Sequence, residues 1–184
     1  MCATSRRGGG LAHIWLDGAA FFAAIDLKLF QVPASEGLAE WLERQAFTVT
    51  AEDPYMQVAE LDGWIVGHIW AAIRPAEPDV AWQMLPDVAS PRLTVHWLGA
   101  AEGYRRQAIG RLLQAAETWS ISVGARAAGF STYIGAPGTV SFYERTMGYA
   151  RQAVYFHSRS PELGAADYRV LRWWGPPDSH LHMD

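Results

Sequence analysis

Cysteine is almost missing from this sequence. The single one, Cys2, excludes an internal disulfide and any zinc site built on cysteines. Charge is scarce too, at 18% of residues, and the formal net charge is only −4. That balance gives no electrostatic basis for binding nucleic acid or an anionic membrane surface. Internal repeats and low-complexity segments are lacking. So are long unbroken apolar runs: His13 and Asp17 interrupt the stretch Leu11–Ala24, and the sequence predicts no membrane span. Ser5-Arg6-Arg7 ahead of that stretch imitates a twin-arginine export signal. The same interruptions argue against export, so the expected location is the cytoplasm.

Apolar residues are plentiful, at 50% of 184, which suits one well-buried domain and is short for two. Nine tryptophans exceed what a core of this size needs, so some should line a cleft or an interface. The expected organisation is a flexible leader over residues 1–10, one domain over 11–174, and a mobile, proline-bearing tail over 175–184.

Within the domain, Leu11–Leu16 reads as a short strand before the Asp17-Gly18 turn. Gly18–Phe30 and Glu36–Phe47 have helical spacing, with Pro33 between them. Tyr55–Leu61 and Trp64–Ile73 alternate and are joined by Asp62-Gly63, a strong hairpin signal. Arg74–Arg92 carries Pro75, Pro78, Pro86 and Pro91 around Trp82, and reads as a long loop able to close over a substrate. Leu93–Ala100 is a strand. The following helix sets Ile109, Leu112, Leu113, Ala116, Trp119 and Val123 on one face, with Gly124 as its stop. A strand over Gly129–Ile134, a short helix over Thr139–Met147 ended by Gly148, and strands over Tyr149–His157 and Tyr168–Trp174 complete the chain. A hairpin followed by strand–helix–strand predicts a mixed-sheet α+β fold and not a doubly wound one.

The chemistry concentrates in Leu93–Gly110, where a strand runs through a turn into a helix that opens with Arg105, Arg106, Gln107, Ala108, Ile109 and Gly110, then Arg111. Unpaired N–H groups at a helix start, aided by the macrodipole, form an anion site. Taken alone, the segment reads equally well as an amphipathic helix with a basic start. Farther on stand Phe142-Tyr143-Glu144-Arg145 and Gly148-Tyr149.

Those two segments, in that order and at that separation, resemble the GNAT acetyltransferase family. Its signature Arg/Gln-x-x-Gly-x-Gly/Ala is matched by Arg105 to Gly110 with one departure, Ala108 for the first glycine. The resemblance implies a mixed, mostly antiparallel sheet of six to seven strands flanked by about four helices. It implies acetyl-coenzyme A as co-substrate, no metal, and direct transfer to an amine within a ternary complex. The backbone around Leu98, Gly99 and Ala100 would face the pantetheine arm, beside a splay between the strands at Leu93 and Gly129. The segment Arg105–Arg111 would cradle the pyrophosphate, and Tyr143 would protonate the departing thiolate. Ala108 is expected to weaken the approach of phosphate. Ala136 stands where many members carry an asparagine, which removes a cap and a cofactor contact.

His96 lies the same distance before the motif arginine as a histidine that helps deprotonate the amine in arylalkylamine acetyltransferases. A hydrogen-bonded strand histidine with no catalytic role is the equal alternative. His68 reads as structural or exposed. His180 and His182 have no carboxylate or cysteine cluster to complete a metal site. Gly129-Phe130-Ser131-Thr132-Tyr133 lacks the second glycine of a nucleophile elbow, and Gly135-Ala136-Pro137-Gly138 is no dinucleotide fingerprint. The acceptor is expected to be a small-molecule or peptide amine, with homodimerisation left open. The reading from another class is a non-catalytic or sensory coenzyme A-binding module on the same fold.

Overall fold

In the computed structural model, which describes residues 3–48, 54–75, 91–157 and 168–174, Asp62 and Gly63 both adopt positive φ, 51° and 80°. That is the backbone of a type I′ turn, whose twist matches the strands it joins. It links β1 (Pro54–Leu61) to β2 (Trp64–Arg74) as the alternating pattern predicts. The strand β3 (Arg92–Ala100) leads through a short 3₁₀ turn, Glu102–Tyr104, into α3 (Arg105–Ser122). Gly124, at φ 86°, stops that helix. Then come β4 (Ala127–Tyr133), α4 (Pro137–Ser141) continued by a π-helical turn at Phe142–Thr146, β5 (Ala150–His157) and β6 (Tyr168–Trp174). Residues 76–90, which make up nearly all of the expected lid with Trp82, lie outside the described residues. So do Cys2, His180, His182 and the tail over 175–184.

The N-terminal segment departs from the sequence reading. Leu11–Leu16 is not a strand but the middle of α1 (Ala3–Ile25), a helix that also takes in residues 3–10, read above as a leader. Three consecutive glycines disfavour a helix in isolation; here they let it approach its neighbours. Gly8 donates its N–H to the Glu43 carboxylate on α2 (Leu38–Thr48) at 3.2 Å. A methyl on Gly10 would come within 2.9 Å of Ile65 Cβ. Ile14 is 1% exposed, and Trp15 stacks on Trp97 with ring centres 4.1 Å apart. By length and composition alone, Gly8–Ile25 is apolar enough to cross a membrane, which corrects the expectation that no such stretch exists.

The chain forms two compact units, residues 1–71 with 96–116, and residues 72–95 with 117–184. In the first, the strand order is β1-β2-β3. Ala101, just past β3, donates to the Val66 carbonyl near the start of β2 at 3.0 Å, so these strands run antiparallel. Gly67 permits α3 to lie close on β2, since a side chain there would come within 3.0 Å of both Ala108 Cβ and Leu112 Cδ1. Ile69 and Leu113 are fully buried. In the second unit the order is β3-β4-β6-β5. Here β3 pairs parallel with β4 from Arg92↔Ala127 to Thr94↔Gly129, whereas β6 pairs antiparallel with both β4 and β5. This is the mixed α+β architecture that the order of elements predicts.

Two outcomes follow from this packing. Gly67→Ala should destabilise the protein by about 1–3 kcal/mol, because Ala108 Cβ has no rotamer with which to yield; chemical denaturation reads it. His68 is 8% exposed, and burial pushes its imidazole down to about 4 from 6.5. The unfolded chain therefore takes up this proton first as the pH falls. The stability contributed by neutral His68 is complete above 6.5 and is lost as pH falls from there through about 4. Between pH 7 and pH 4 the wild type should lose up to about 3 kcal/mol more stability than His68→Leu, measured by urea melts at each pH. Identical acid limbs would show that the imidazole is not shielded.

Candidate active site

The first unit contains the strand–turn–helix segment. Ala100 and Ala101 are buried, at 3% and 7% exposure, and the bond from Ala101 to Val66 pins the end of β3. Tyr104 N–H returns to the Ala101 carbonyl at 2.9 Å and closes the 3₁₀ turn that opens α3. The first N–H groups of a helix lack intrahelical acceptors, and the first turn of α3 has no acidic side chain to take them. Glu102, Gly103, Tyr104, Arg106, Gln107 and Arg111 are exposed there. The electrostatics of a helix start and two exposed arginines favour an anion.

Two residues of this segment behave differently from expectation. Ala108 is 6% exposed and lies against β2 at Gly67, so its methyl occupies space that the strand glycine leaves open. The extra carbon is absorbed by packing. Arg105 is half-buried and donates from Nη2 to the Asp17 carbonyl at 3.0 Å, with its guanidinium carbon 4.8 Å from the centre of the Phe21 ring. Asp17 also accepts the Glu102 N–H through its carboxylate at 3.1 Å. Asp17 is 85 and 88 positions from these two partners, and no spacing rule in the sequence announces them.

His96 is exposed on β3, and its ring lies 5.1 Å from that of Trp70 on β2. A histidine that reaches solvent beside an aromatic wall has the access a base needs. His68, two residues before Trp70 and so on the same face of β2, is buried. Its Nε2 and the Trp70 Nε1 have no hydrogen-bond partner among the described residues.

Tyr143 belongs to the second unit. It sits in the π-helical turn after α4, 7% exposed, with its ring 4.0 Å from Phe130 and 6.3 Å from Tyr149. Burial pushes its phenol well above the usual value, which keeps it protonated and makes it a weaker acid than an exposed tyrosine. Tyr149, 2% exposed, donates its hydroxyl to the Glu117 carboxylate. Burial first, and then the Glu117 charge, push the Tyr149 phenol up. Burial also raises the Glu117 carboxyl, against the lowering effect of that hydrogen bond. The sequence reading noticed Tyr149 only as part of a Gly-Tyr pair and missed Glu117. Ala136 is the N-cap of α4, supplies no side-chain cap and is 1% exposed, so the absent asparagine is replaced by a packed methyl.

Of the predicted site residues, His96, Leu98, Gly99, Ala100 and Arg105–Arg111 are thus brought together in one unit, and Tyr143 is placed in the other.

The model of the Acetyltransferase (GNAT) family matches residues 20–149. A search of curated proteins finds no match. Among solved structures, a ribosomal-protein-alanine N-acetyltransferase from Brucella melitensis superposes with a TM-score of 0.59 at 16% identity, covering 95% of this chain and 96% of that one. Naa20 of Chaetomium thermophilum, bound to a bisubstrate analogue, gives 0.57 at 20% identity over 80% of this chain and 76% of its own. A protein described as a streptothricin acetyltransferase, from Bacillus anthracis str. Ames and solved with acetyl coenzyme A, gives 0.55 at 16% identity over 70% of this chain and 65% of its own. At these identities the likeness is one of fold. The family match spans both motif segments, on β3–α3 and on the turn that holds Tyr143, and the chain belongs to the GNAT acetyltransferase family.

Proposed function

We propose that this protein is an N-acetyltransferase that works in the cytoplasm, passing the acetyl group of acetyl-coenzyme A directly to the amine of a peptide or small molecule. The observation that carries the reading is the opening of α3. It offers backbone donors beside exposed Arg106 and Arg111, within a segment matched by the family, and the first turn of α3 itself carries no acidic side chain. Solved neighbours hold acetyl coenzyme A or a bisubstrate analogue, and the packing of the Ala108 methyl towards Gly67 on β2 supports room for the same ligand here.

In the proposed reaction the acceptor amine, once neutral, attacks the thioester carbonyl. The carbon–nitrogen bond forms, the carbon–sulfur bond breaks, and the sulfur leaves with a proton from Tyr143. His96 takes the proton that the amine gives up. Holding both reactants in one complex supplies much of the rate, and proton transfer by positioned groups adds roughly 10²–10⁴-fold. The second reading, a coenzyme A-binding module without turnover, draws on the uncapped start of α4 at Ala136. The presence of a tyrosine at 143, within the segment matched by the family, favours the enzyme.

Coenzyme A at millimolar concentration should raise the melting temperature, since a ligand that binds only the native state stabilises it by mass action. No shift would remove both readings; a shift without turnover across an amine panel would leave only the second.

Tyr143→Phe should lower kcat by about 10²-fold with little change in coenzyme A affinity, because the hydroxyl acts only as the sulfur departs. His96→Gln should also lower kcat and flatten the limb of the pH profile on which activity rises with pH. A wild-type profile in His96→Gln would give the proton another route, a water chain or a carboxylate such as Glu60.

A further inference from the structure

The two ends of the anion-binding turn are tied to one residue far away in sequence. The Asp17 carboxylate accepts the N–H of Glu102, where the turn begins, at 3.1 Å. The Asp17 carbonyl accepts from the guanidinium of Arg105, where α3 begins, at 3.0 Å. One helical turn further along α1, Phe21 seats that guanidinium at 4.8 Å. One turn before, His13 Nε2 lies 3.6 Å from the same Asp17 carboxylate oxygen. The Glu102 N–H is otherwise one of the orphan donors of a helix start.

We propose that Asp17 is a positioning residue that latches the anion-binding turn to α1, and that Arg105 completes this latch instead of lying along the pyrophosphate. The proposal rests on the coenzyme A reading above. A guanidinium with one nitrogen on a carbonyl and its carbon over an aromatic ring is held in place before any ligand arrives. The entropy of the turn is then lost on folding and not again on binding, which favours affinity. Phosphate charge falls to Arg106 and Arg111, which are exposed. The carboxylate has two opposed effects on a bound anion: its charge repels, and its anchor prearranges the donors. Asparagine at this position separates them, since it keeps an acceptor oxygen and drops the charge.

The test is coenzyme A binding by calorimetry in the full chain, at several salt concentrations. Asp17→Ala should weaken binding about tenfold, as expected for loss of a hydrogen bond to a charged group. Asp17→Asn should bind at least as well as wild type. In turnover, Asp17→Ala should raise the KM for acetyl-coenzyme A while leaving kcat and the acceptor KM within about twofold, a split that loss of uniform binding produces. Arg105→Met should weaken binding with the salt slope of wild type, whereas Arg106→Met should flatten the slope because a phosphate contact is lost. Phe21→Leu removes only the guanidinium's seat and should cost about two- to threefold; it serves if Asp17→Ala does not fold. Wild-type affinity in Asp17→Ala, or a flattened slope in Arg105→Met, overturns the latch. If the wild type does not bind coenzyme A, the functional reading fails and the latch is judged without ligand. The Glu102 amide should then exchange with solvent at least about tenfold faster in Asp17→Ala than in wild type, and equal exchange overturns it.

Discussion

The start of α3 depends on how closely that helix can lie on β2. Gly67 makes the approach possible, because any side chain there would meet Ala108 and Leu112. With α3 in that position, Ala101 reaches the Val66 carbonyl, the 3₁₀ turn closes on Ala101, and Glu102, Gly103, Tyr104, Arg106 and Gln107 lie exposed where the helix opens. A substitution that looks harmful in the motif, alanine for glycine at 108, is therefore paired with a glycine on the facing strand. The volume is shared between two elements, as interiors packed near crystal density demand.

The second unit applies a related economy to its tyrosines. Tyr143 and Tyr149 both pack around Phe130, at 4.0 and 5.1 Å between ring centres. Both phenols are raised by burial. Their environments nevertheless differ. The Tyr149 hydroxyl is committed to Glu117, which fixes its ring and makes it a support. Tyr143 occupies a π-helical turn, a local irregularity frequent at functional sites because it re-aims one side chain without breaking the helix. The Tyr149 N–H, which bonds the Tyr143 carbonyl at 2.9 Å, closes that turn.

Helix α1 shows why a correct periodicity can mislead. Leu11–Leu16 is a short run, apolar but for His13, that meets Asp17-Gly18, and three glycines precede it, so the sequence argues for a leader and a strand. The helix forms because its small residues let it dock. Gly8 meets Glu43, Gly10 meets Ile65, and Trp15 stacks on Trp97. Tertiary packing outweighs intrinsic propensity, which is worth only about 1 kcal/mol per glycine.

What the sequence determined by itself is local. Asp62-Gly63 demanded a primed turn, Gly124 and Gly148 ended their segments at positive φ, and the alternating and helical periods located β2, β3, α3 and the last strand pair. The two motif segments were legible in the same way, since each is a short run whose chemistry depends on neighbours in the chain. The tertiary structure decided the rest: that the Ala108 methyl faces a strand glycine, that His68 is buried and Tyr149 serves Glu117, and that Arg105 is held by α1. These are matters of which surfaces meet. Asp17 and Arg105 lie 88 residues apart, and only the folded chain brings a donor at that separation to its acceptor.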